Sequence, residues 1–549
     1  MWITDYTKQT YAERFRRLLK NGSLMSFASP ITSRPNVWRL IANSKPVSNL
    51  HQLQNSIDDL VSMGKKYELL APVMLFLLGF FLRLGLLLVS VDIPGDGPSR
   101  AFMAYAWSKS PYFATHGTWL PGFLYLAGIF NFFVPDPLFA SRVLNLILGS
   151  ATIPLYYLLT RRLYNRIAAL FASLLLVVLP LHVGLSVSSL ADNSFLFATI
   201  ASMVLLTGIN EGKEGKLRLG LSLCLFCWAE MTRYEAWLLI PAFPIYYFHK
   251  TRKTSTAGLV LLILLLFPVG WMLENYVHSG EFLTAFSEVK KGAEIVGAHA
   301  VDLFNAIKML GTMSVLHLGT VLMIAIVGGM IWQLVSLAKG EINPEHVFYV
   351  SVICLFWMGM VYLAMNISGS LWNRFLLFGF VMPLPFAFLP FTQKLRIHYR
   401  WLALIICVVL LAAGVAVFPR QRPLWVTVQR PTEIKNVITW LKESPYRNDP
   451  LLVTSMGWQA TYIPLYFPEV KMGMISPWVE DDEVYYFLKN QPPSLLITRE
   501  GESELQGRIE NIMGKVIAKH NLLHEEGAIK VYRLPARKLN VAGNDTRPN

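Results

Sequence analysis

Residues 69–100 read LLAPVMLFLLGFFLRLGLLLVSVDIPGDGPSR, an apolar run that ends in a polar stretch rich in glycine and proline. Because about 20 apolar residues suffice for a helix to cross a membrane, residues 69–91 are predicted to form a transmembrane helix. Two carboxylates, Asp92 and Asp96, and the cation Arg100 follow directly. Ionisable groups beside a membrane span are costly and usually line a functional cavity. Asp96 is therefore the first candidate for catalysis.

The composition of the chain is that of a polytopic membrane protein. Of its 549 residues, 54% are hydrophobic and 15% are charged. The formal net charge is +14, but the lysines and arginines cluster between apolar runs, as the positive-inside rule predicts for cytoplasmic loops. The basic charge is therefore assigned to topology and to the lipid bilayer, not to nucleic acid. The four cysteines lie in apolar runs and are predicted to be packing residues.

The alternation of apolar runs with basic turns predicts eleven membrane spans and a cytoplasmic N-terminus. The spans are predicted at 67–91, 140–160, 167–187, 194–210, 217–231, 236–249, 256–276, 314–337, 346–365, 375–391 and 401–418. The apolar stretch 119–134 is predicted to be an interfacial or re-entrant helix rather than a span. The basic turn at 161–166 should be cytoplasmic, so one crossing, at 140–160, must separate it from the outer loop that contains this stretch. An odd number of spans places the C-terminal part of the chain outside.

Four regions follow from this topology, in a multi-pass protein of the plasma or inner membrane. They are a basic cytoplasmic segment (1–66), a transmembrane catalytic domain (67–419), an extracytoplasmic α/β domain (420–535) and a disordered tail (536–549). In the third region, helix patterns at 432–442, 480–489 and 502–519 alternate with strand patterns at 451–454, 494–498 and 529–534. Such alternation is typical of an α/β layer.

Charged residues at the predicted outer ends of the spans form one set. They are Asp92, Asp96, Arg100, Asp192, Arg233, Glu235 and Arg374. Because they come from four separate segments but fall at one level, we expect them to meet in a single site. Glu235 is predicted to support the site, as are Trp119 and His116 in the first outer loop, whereas Asp92 is predicted to be a bystander.

Each member of this set also has a purely structural interpretation. Asp96 suits a turn, Asp192 suits a helix cap, and Arg233 with Glu235 suits an ion pair or an interfacial anchor. Arg374 suits an interfacial anchor as well. The sequence contains no His, Cys and carboxylate cluster with metal-ligand spacing.

Several short motifs, taken in their order and placement, resemble one family. They are GDGPSR at 95–100, WLPG at 119–122, Arg142, RRLY at 161–164, LAD at 190–192 and TRYEAW at 232–237. The chain resembles the GT-C membrane glycosyltransferases, which include protein O-mannosyltransferases, lipid A aminoarabinose transferases and oligosaccharyltransferases. The resemblance covers about 67–390, and it implies an α-helical GT-C fold.

The resemblance implies that the substrate is a sugar carried on a polyprenyl phosphate or pyrophosphate. It further implies that Asp96 acts as base or orients the acceptor, that Asp192 supports the site or a metal, and that Arg374 binds the donor phosphate. The metal-dependent branch of the family carries D-x-D where this chain has Asp192-Asn193-Ser194. A divalent metal is therefore doubtful, and no cofactor is predicted with certainty. The acceptor, a lipid, glycan or protein, stays unidentified.

The chemistry of such a transfer agrees with these residue types. The leaving phosphate is a stable anion, so positive charge placed near it assists departure, and the guanidinium forks of Arg374, Arg100 and Arg233 suit phosphate oxygens. One base suffices for the acceptor, and low-dielectric surroundings are expected to make Asp96 a stronger one. The alternative is a transporter or flippase, which would favour internal repeats and broken helices at mid-depth. The sequence contains no such repeat, so an inverting glycosyltransferase is preferred.

Overall fold

The structure is a computed structural model of the chain. It describes residues 69–90, 96–210, 212–295, 300–339, 343–367, 373–392, 400–416, 432–454, 456–475, 493–500 and 522–534. The basic segment 1–66, Asp92, the helices expected at 480–489 and 502–519 and the C-terminal tail lie outside these ranges.

A helical bundle makes up most of the described chain. Its helices are α1 (Leu70–Val89), α2 (Asp96–Lys109), α3 (Gly122–Asn131), α4 (Pro137–Leu163), α5 (Arg166–Val178), α6 (Pro180–Leu185), α7 (Asp192–Thr207), α8 (Lys213–Thr232), α9 (Ala242–Thr251), α10 (Thr254–Ser279), α11 (Thr284–Ile295), α12 (Leu303–Leu318), α13 (Thr320–Ala338), α14 (Pro344–Ile367), α15 (Leu377–Val381), α16 (Leu389–Thr392) and α17 (Arg400–Ala416). Short 3-10 helices at Tyr234–Leu239, Asn373–Leu376 and Leu384–Ala387 connect several of them.

Five helices among the described residues are long and apolar enough to cross a membrane, namely α1, α4, α10, α13 and α14. Shorter apolar helices, among them α5, α7 and α12, complete the bundle. The helices predicted at the first, second, seventh and ninth spans are therefore confirmed, and the protein is a multi-pass membrane protein. The stretch predicted to be interfacial contains the short helix α3, as expected.

Three predicted spans are broken beside prolines, and a fourth, the eighth, is divided between α12 and α13 at Gly319. The third is divided between α5 and α6, the sixth between a 3-10 helix and α9, and the tenth among two 3-10 helices and the short helices α15 and α16. Proline explains these three breaks, since it lacks an N–H and disfavours the helical conformation of the residue before it. Pro180, Pro241, Pro383 and Pro385 stand at or beside these divisions. The prediction of eleven simple helices is corrected in these places.

The break between α5 and α6 is filled by Arg83 of α1, a fully buried side chain. Pro180 has no N–H to offer the carbonyl of Leu176, so the end of α5 needs other donors. Arg83 donates to the carbonyl oxygens of Gly79, Leu176 and Val177, to the hydroxyl of Ser186 and to the ring of His182. One arginine thus satisfies backbone groups that the proline leaves exposed inside the bundle.

The predicted turn at Asp96 is the beginning of a helix, which is a second correction. α2 starts at Asp96 and continues to Lys109. A carboxylate in the first turn is favourable beside the positive end of the helix dipole, and proline is accepted in the first turn, where Pro98 stands. The segment 277–313, which connects the seventh and eighth predicted spans, is also largely helical, because α11 and most of α12 lie in it.

A small domain follows the bundle, built of helix α18 (Thr432–Glu443), helix α19 (Tyr462–Tyr466) and a five-stranded sheet. The strands are β1 (Leu451–Thr454), β2 (Met472–Ile475), β3 (Leu495–Arg499), β4 (Leu522–Glu526) and β5 (Ile529–Arg533). They have the order β2-β1-β3-β5-β4, with β1 parallel to both of its neighbours and β5 antiparallel to both of its own. The predicted helix at 432–442 and all three predicted strands are confirmed.

The small domain packs against the helix that carries Asp96. Ala101 of α2 and Leu138 of α4 belong to the same buried apolar cluster as Ile463 of α19 and Leu451 of β1. Burial of such side chains removes apolar surface from water, which is the main favourable contribution to packing. The position of α2 therefore depends on the domain as well as on the bundle.

Candidate active site

Asp96 and Arg374 form an ion pair at one end of the bundle, which we call the site end. Asp96 is the first residue of α2, and Arg374 lies in the 3-10 helix before α15. Nη2 of Arg374 donates to Oδ2 of Asp96. The Asp96 side chain is 40% exposed and that of Arg374 is 16% exposed, so a substrate can reach the carboxylate. The fold therefore brings these two predicted site residues into contact, as expected.

Arg100 stands one helical turn beyond Asp96, on the same helix. Its guanidinium carbon lies 4.4 Å from the ring centre of Trp119, a cation–π contact. Its Nε is buried and makes no hydrogen bond with any described residue. Burial lowers the pKa of Arg100 to about 10, which still leaves the group charged at neutral pH.

Arg233 links two further carboxylates at the site end. Its Nη1 donates to Oδ1 of Asp192 over 2.7 Å, and its Nη2 donates to Oε1 of Glu235 over 2.5 Å. Asp192 is the first residue of α7, and Arg233 directly follows Thr232, the last residue of α8, as its C-cap. The three side chains are at most 10% exposed. Arg233 and Glu235 thus form an ion pair, as one of the structural interpretations predicted, and Asp192 is a third member of it.

Phe375 connects the two arginine groups, and nothing in the sequence marks it as a site residue. The guanidinium carbon of Arg233 lies 4.9 Å from its ring centre, and that of Arg374 lies 5.3 Å away. The quadrupole of an aromatic ring attracts cations. A ring shared by both guanidinium groups therefore holds two like charges near each other.

The electrostatics of Asp96 differ from the expectation. Burial favours the neutral acid, but the charges of Arg374 and Arg100 outweigh it, so the pKa of Asp96 lies below its ordinary value. Nearby positive charge favours the carboxylate form. Asp96 is therefore ionised at neutral pH, but while Arg374 is beside it its basicity is weakened rather than strengthened.

The segment before Asp192 is held by two polar residues of α4. Arg142 donates from Nε to the carbonyl of Val187 over 2.6 Å, and from Nη2 to the hydroxyl of Ser90 over 2.8 Å. Nδ2 of Asn145 donates to the carbonyls of Ser188 and Leu190, both over 2.7 Å. Arg142 belongs to the motifs quoted above, and Arg83 is visible as a charge inside an apolar run, whereas Asn145 gave no recognisable signal in the sequence. All three fix backbone that positions Asp192.

The loop before Trp119 is attached to the end of α10. The backbone N–H of Gly117 donates to Oδ1 of Asn275 over 2.8 Å. The ring of His116 stacks on that of His278, with centres 3.8 Å apart. The described contacts of His116 are with His278 and Thr115, so it supports the loop, and Trp119 is the residue of this loop that touches a charged group of the site.

The residues of this site do not fit a divalent metal well. No group of three His, Cys, Asp or Glu side chains among the described residues is arranged to hold one. Where a D-x-D motif would place its second carboxylate, Ser194 stands, and its hydroxyl accepts from Nε1 of Trp228 over 3.2 Å. A guanidinium, not an open space, lies between Asp192 and Glu235.

Comparison with known families agrees with the sequence resemblance. Residues 116–272 match the family model of the dolichyl-phosphate-mannose-protein mannosyltransferase. That region contains Trp119, Asp192, Arg233 and Glu235. No curated protein matches the chain in a sequence search.

Solved structures show the same architecture at low sequence identity. ArnT from Cupriavidus metallidurans bound to undecaprenyl phosphate is 12% identical with a TM-score of 0.56, over 86% of this chain and 98% of that chain. The Archaeoglobus fulgidus oligosaccharyltransferase in complex with Zn and sulfate is 12% identical with a TM-score of 0.55, over 78% of this chain and 68% of that chain. AglB from the same organism, in complex with an inhibitory peptide and a dolichol-phosphate, is 12% identical with a TM-score of 0.54, over 79% and 70% of the two chains. The resemblance drawn from the sequence is therefore confirmed, and the protein is a polytopic membrane protein with the fold of the GT-C glycosyltransferases.

Proposed function

We propose that the protein is an inverting glycosyltransferase that moves a sugar from a polyprenyl phosphate or pyrophosphate to an acceptor at the outer face of the membrane. One observation carries the proposal. A half-exposed carboxylate, Asp96, is paired with Arg374 and lies one helical turn from Arg100, at the end of a GT-C bundle. The site thus holds a proton acceptor beside cations that suit a phosphate.

Arg374 and Arg100 are the proposed contacts of the donor phosphate. Guanidinium groups form paired hydrogen bonds to phosphate oxygens, and the Nε of Arg100 has no hydrogen-bond partner among the described residues. A phosphate that takes the Nη2 donor of Arg374 competes with Asp96 for it. Loss of that partner raises the basicity of Asp96. Binding of the donor and activation of the base are then one event.

In the proposed reaction, the acceptor hydroxyl or amine attacks the anomeric carbon while Asp96 takes its proton. The new glycosidic bond forms as the bond from that carbon to the phosphate oxygen breaks, and the polyprenyl phosphate departs as an anion. Positive charge from Arg374 and Arg100 stabilises the departing anion. A single displacement inverts the anomeric centre, and no acid is needed because the leaving group is already a stable anion.

The solved neighbours support a lipid carrier, since ArnT was bound to undecaprenyl phosphate and AglB to a dolichol-phosphate. The placement of the site on the outer face rests on the basic turns, such as the one at 161–166, which lie at the opposite end of α4 from Arg142. Positive charge concentrates in cytoplasmic loops. The N-terminus is then cytoplasmic and the small domain extracytoplasmic.

The test is mass spectrometry of lipids and surface glycans from cells that carry Asp96→Asn in place of the wild-type chain. We expect one lipid-linked sugar to accumulate, which names the donor, and one glycan to disappear, which names the acceptor. Glu214→Gln, a change of an exposed carboxylate in the first turn of α8, is the matched control. Unchanged lipids and glycans in the Asp96→Asn cells would contradict the proposal.

A further inference from the structure

We propose that the guanidinium of Arg233 occupies the place of a divalent cation between Asp192 and Glu235, so that this site works without a bound metal. The consequence for catalysis rests on the proposed function. The claim about the cation itself concerns binding, and it is testable in the purified protein without donor or acceptor.

The geometry is that of a cation with carboxylate ligands on two sides. Asp192 approaches from the start of α7 and Glu235 from the 3-10 helix after α8. Nη1 of Arg233 lies 2.7 Å from Oδ1 of Asp192, and Nε lies 3.0 Å from each oxygen of Glu235. Both carboxylates thus direct oxygen atoms at one positive centre, as they would at Mg²⁺ or Mn²⁺.

Burial makes this arrangement hard to exchange for a metal. The exposed fraction is 10% for the Arg233 side chain, 3% for Asp192 and 9% for Glu235. Removing one partner of a buried ion pair is strongly unfavourable, because it leaves a charge without compensation. A metal that entered would have to displace a guanidinium covalently attached to the chain and leave it buried without its partners.

The local sequence has the same consequence. Asn193 and Ser194 follow Asp192, and neither carries charge. Nδ2 of Asn193 donates to the hydroxyl of Ser186 over 3.0 Å, and the hydroxyl of Ser194 accepts from Trp228. Neither residue is a carboxylate, so Asp192 is the one charged residue of this tripeptide.

Arg233 also keeps capacity to act on a substrate. A guanidinium carries five N–H donors. The bonds to Asp192 and Glu235 use three of them, namely the single N–H of Nε, which both oxygens of Glu235 share, and one N–H each of Nη1 and Nη2. The cation is close enough to Asp96 to favour its ionised form. Arg233 therefore acts on Asp96 in the direction in which a metal ion between the same carboxylates would act, and its remaining N–H groups can donate to a substrate.

The experiment measures Mn²⁺ binding to the purified protein in detergent by electron paramagnetic resonance. Four variants are compared with wild type: Arg233→Ala, Asp192→Asn, the double variant Arg233→Ala with Asp192→Asn, and Arg374→Ala. The last removes a cation of the same site but leaves Arg233 between its carboxylates. Thermal unfolding of each variant establishes that it is folded.

We expect no stoichiometric Mn²⁺ binding by wild type or by Arg374→Ala. Arg233→Ala is expected to gain one Mn²⁺ site, because it leaves two buried carboxylates that need a cation, and the double variant is expected to lose it. Transfer by wild type is expected to be unchanged by EDTA. Stoichiometric Mn²⁺ binding by wild type that Asp192→Asn abolishes would overturn the inference, and so would a folded Arg233→Ala protein without a site.

If Arg233→Ala does not fold, the wild-type measurement still decides. The inference then stands on the absence of an Asp192-dependent Mn²⁺ site and fails if one is found. These results are separate from the proposed function, since a protein that transfers no sugar with any lipid-linked donor refutes that function whatever its Mn²⁺ binding. A wild-type enzyme that transfers sugar but stops in EDTA refutes the inference alone.

Discussion

The carboxylate of Asp96 accepts a hydrogen bond from Arg374, a residue 278 positions away along the chain. The pair joins the first helix after the first span to the broken segment that replaces the tenth predicted span. Neither partner lies in the middle of an α-helix: Asp96 is the first residue of α2, and Arg374 lies in a short 3-10 helix. Such places leave side chains and backbone groups available to a substrate.

Replacement of Arg374 by alanine is expected to raise the apparent KM for the lipid-linked donor by about ten- to a hundredfold, as loss of a charged hydrogen bond implies. Arg374→Lys keeps the charge but loses the paired donors, so it is expected to fall between alanine and wild type. The measurement is transfer rate against donor concentration. Arg447→Ala, at an exposed arginine of the small domain, is the control. A donor KM that does not change in Arg374→Ala would argue against phosphate binding there.

Trp119→Ala is expected to reduce donor affinity about three- to thirtyfold, the range of one cation–π contact. The physical reason is that Arg100 loses the ring 4.4 Å from its guanidinium and with it a fixed position. Trp119→Phe keeps an aromatic face and is expected to retain most of the affinity. If the alanine and phenylalanine variants bind donor equally, the ring does not position Arg100.

The pH dependence of stability should report the ion pair of Asp96. Its pKa lies below the ordinary value, so its contribution is present above the pKa of the unfolded chain and is lost as pH falls through the lower folded-state value. The difference in unfolding temperature between wild type and Asp96→Asn is expected to be constant from about pH 8 to 5 and to shrink below about pH 4. A difference that already shrinks between pH 7 and 6, as for a titrating histidine (roughly 6.5), would contradict this assignment.

Arg83→Leu is expected to destabilise the protein by at least about 2 kcal/mol, because carbonyl groups at the end of α5 lose their donor inside the bundle. Transfer should fall too, since Arg83 also holds Ser186 on the segment that leads to Asp192. Thermal unfolding in detergent is the measurement, with the exposed Arg447→Leu as control. Equal unfolding temperatures for the two variants would show that Arg83 does not support this break.

The fold could be predicted from the sequence where one physical rule dominates. Long apolar runs made α1, α4, α10 and α14 predictable, and short apolar stretches between helix patterns located β1, β3 and β5. The prolines at 180, 241, 383 and 385 could be seen in the sequence. Whether a helix can break beside them depends on hydrogen-bond donors from other helices, which satisfy the exposed carbonyl groups. Arg83 is such a donor. A charge inside an apolar run indicates a buried polar environment, but the partners of Arg83 lie about a hundred residues away and could not be predicted.

The candidate site was predictable as a set of residues, but the pairing within it was not. Topology alone placed Asp96, Asp192, Arg233 and Arg374 at one level. Which carboxylate each arginine binds depends on packing between distant segments, so Arg233 was expected to bind phosphate but is shared by Asp192 and Glu235. The lowered pKa of Asp96 was missed for the same reason, because the desolvation expected from its position is outweighed by Arg374 and Arg100.

The central claim is that Asp96 is the base of a sugar transfer from a polyprenyl-phosphate donor. Its most direct test is a single-turnover measurement with purified protein in proteoliposomes, once cellular lipids have named the donor and acceptor. Asp96→Asn is expected to bind the donor and unfold as wild type does near neutral pH within a few degrees, while transfer falls by about 10² to 10⁴, the range for loss of a general base. Transfer by Asp96→Asn at the wild-type rate would contradict the claim.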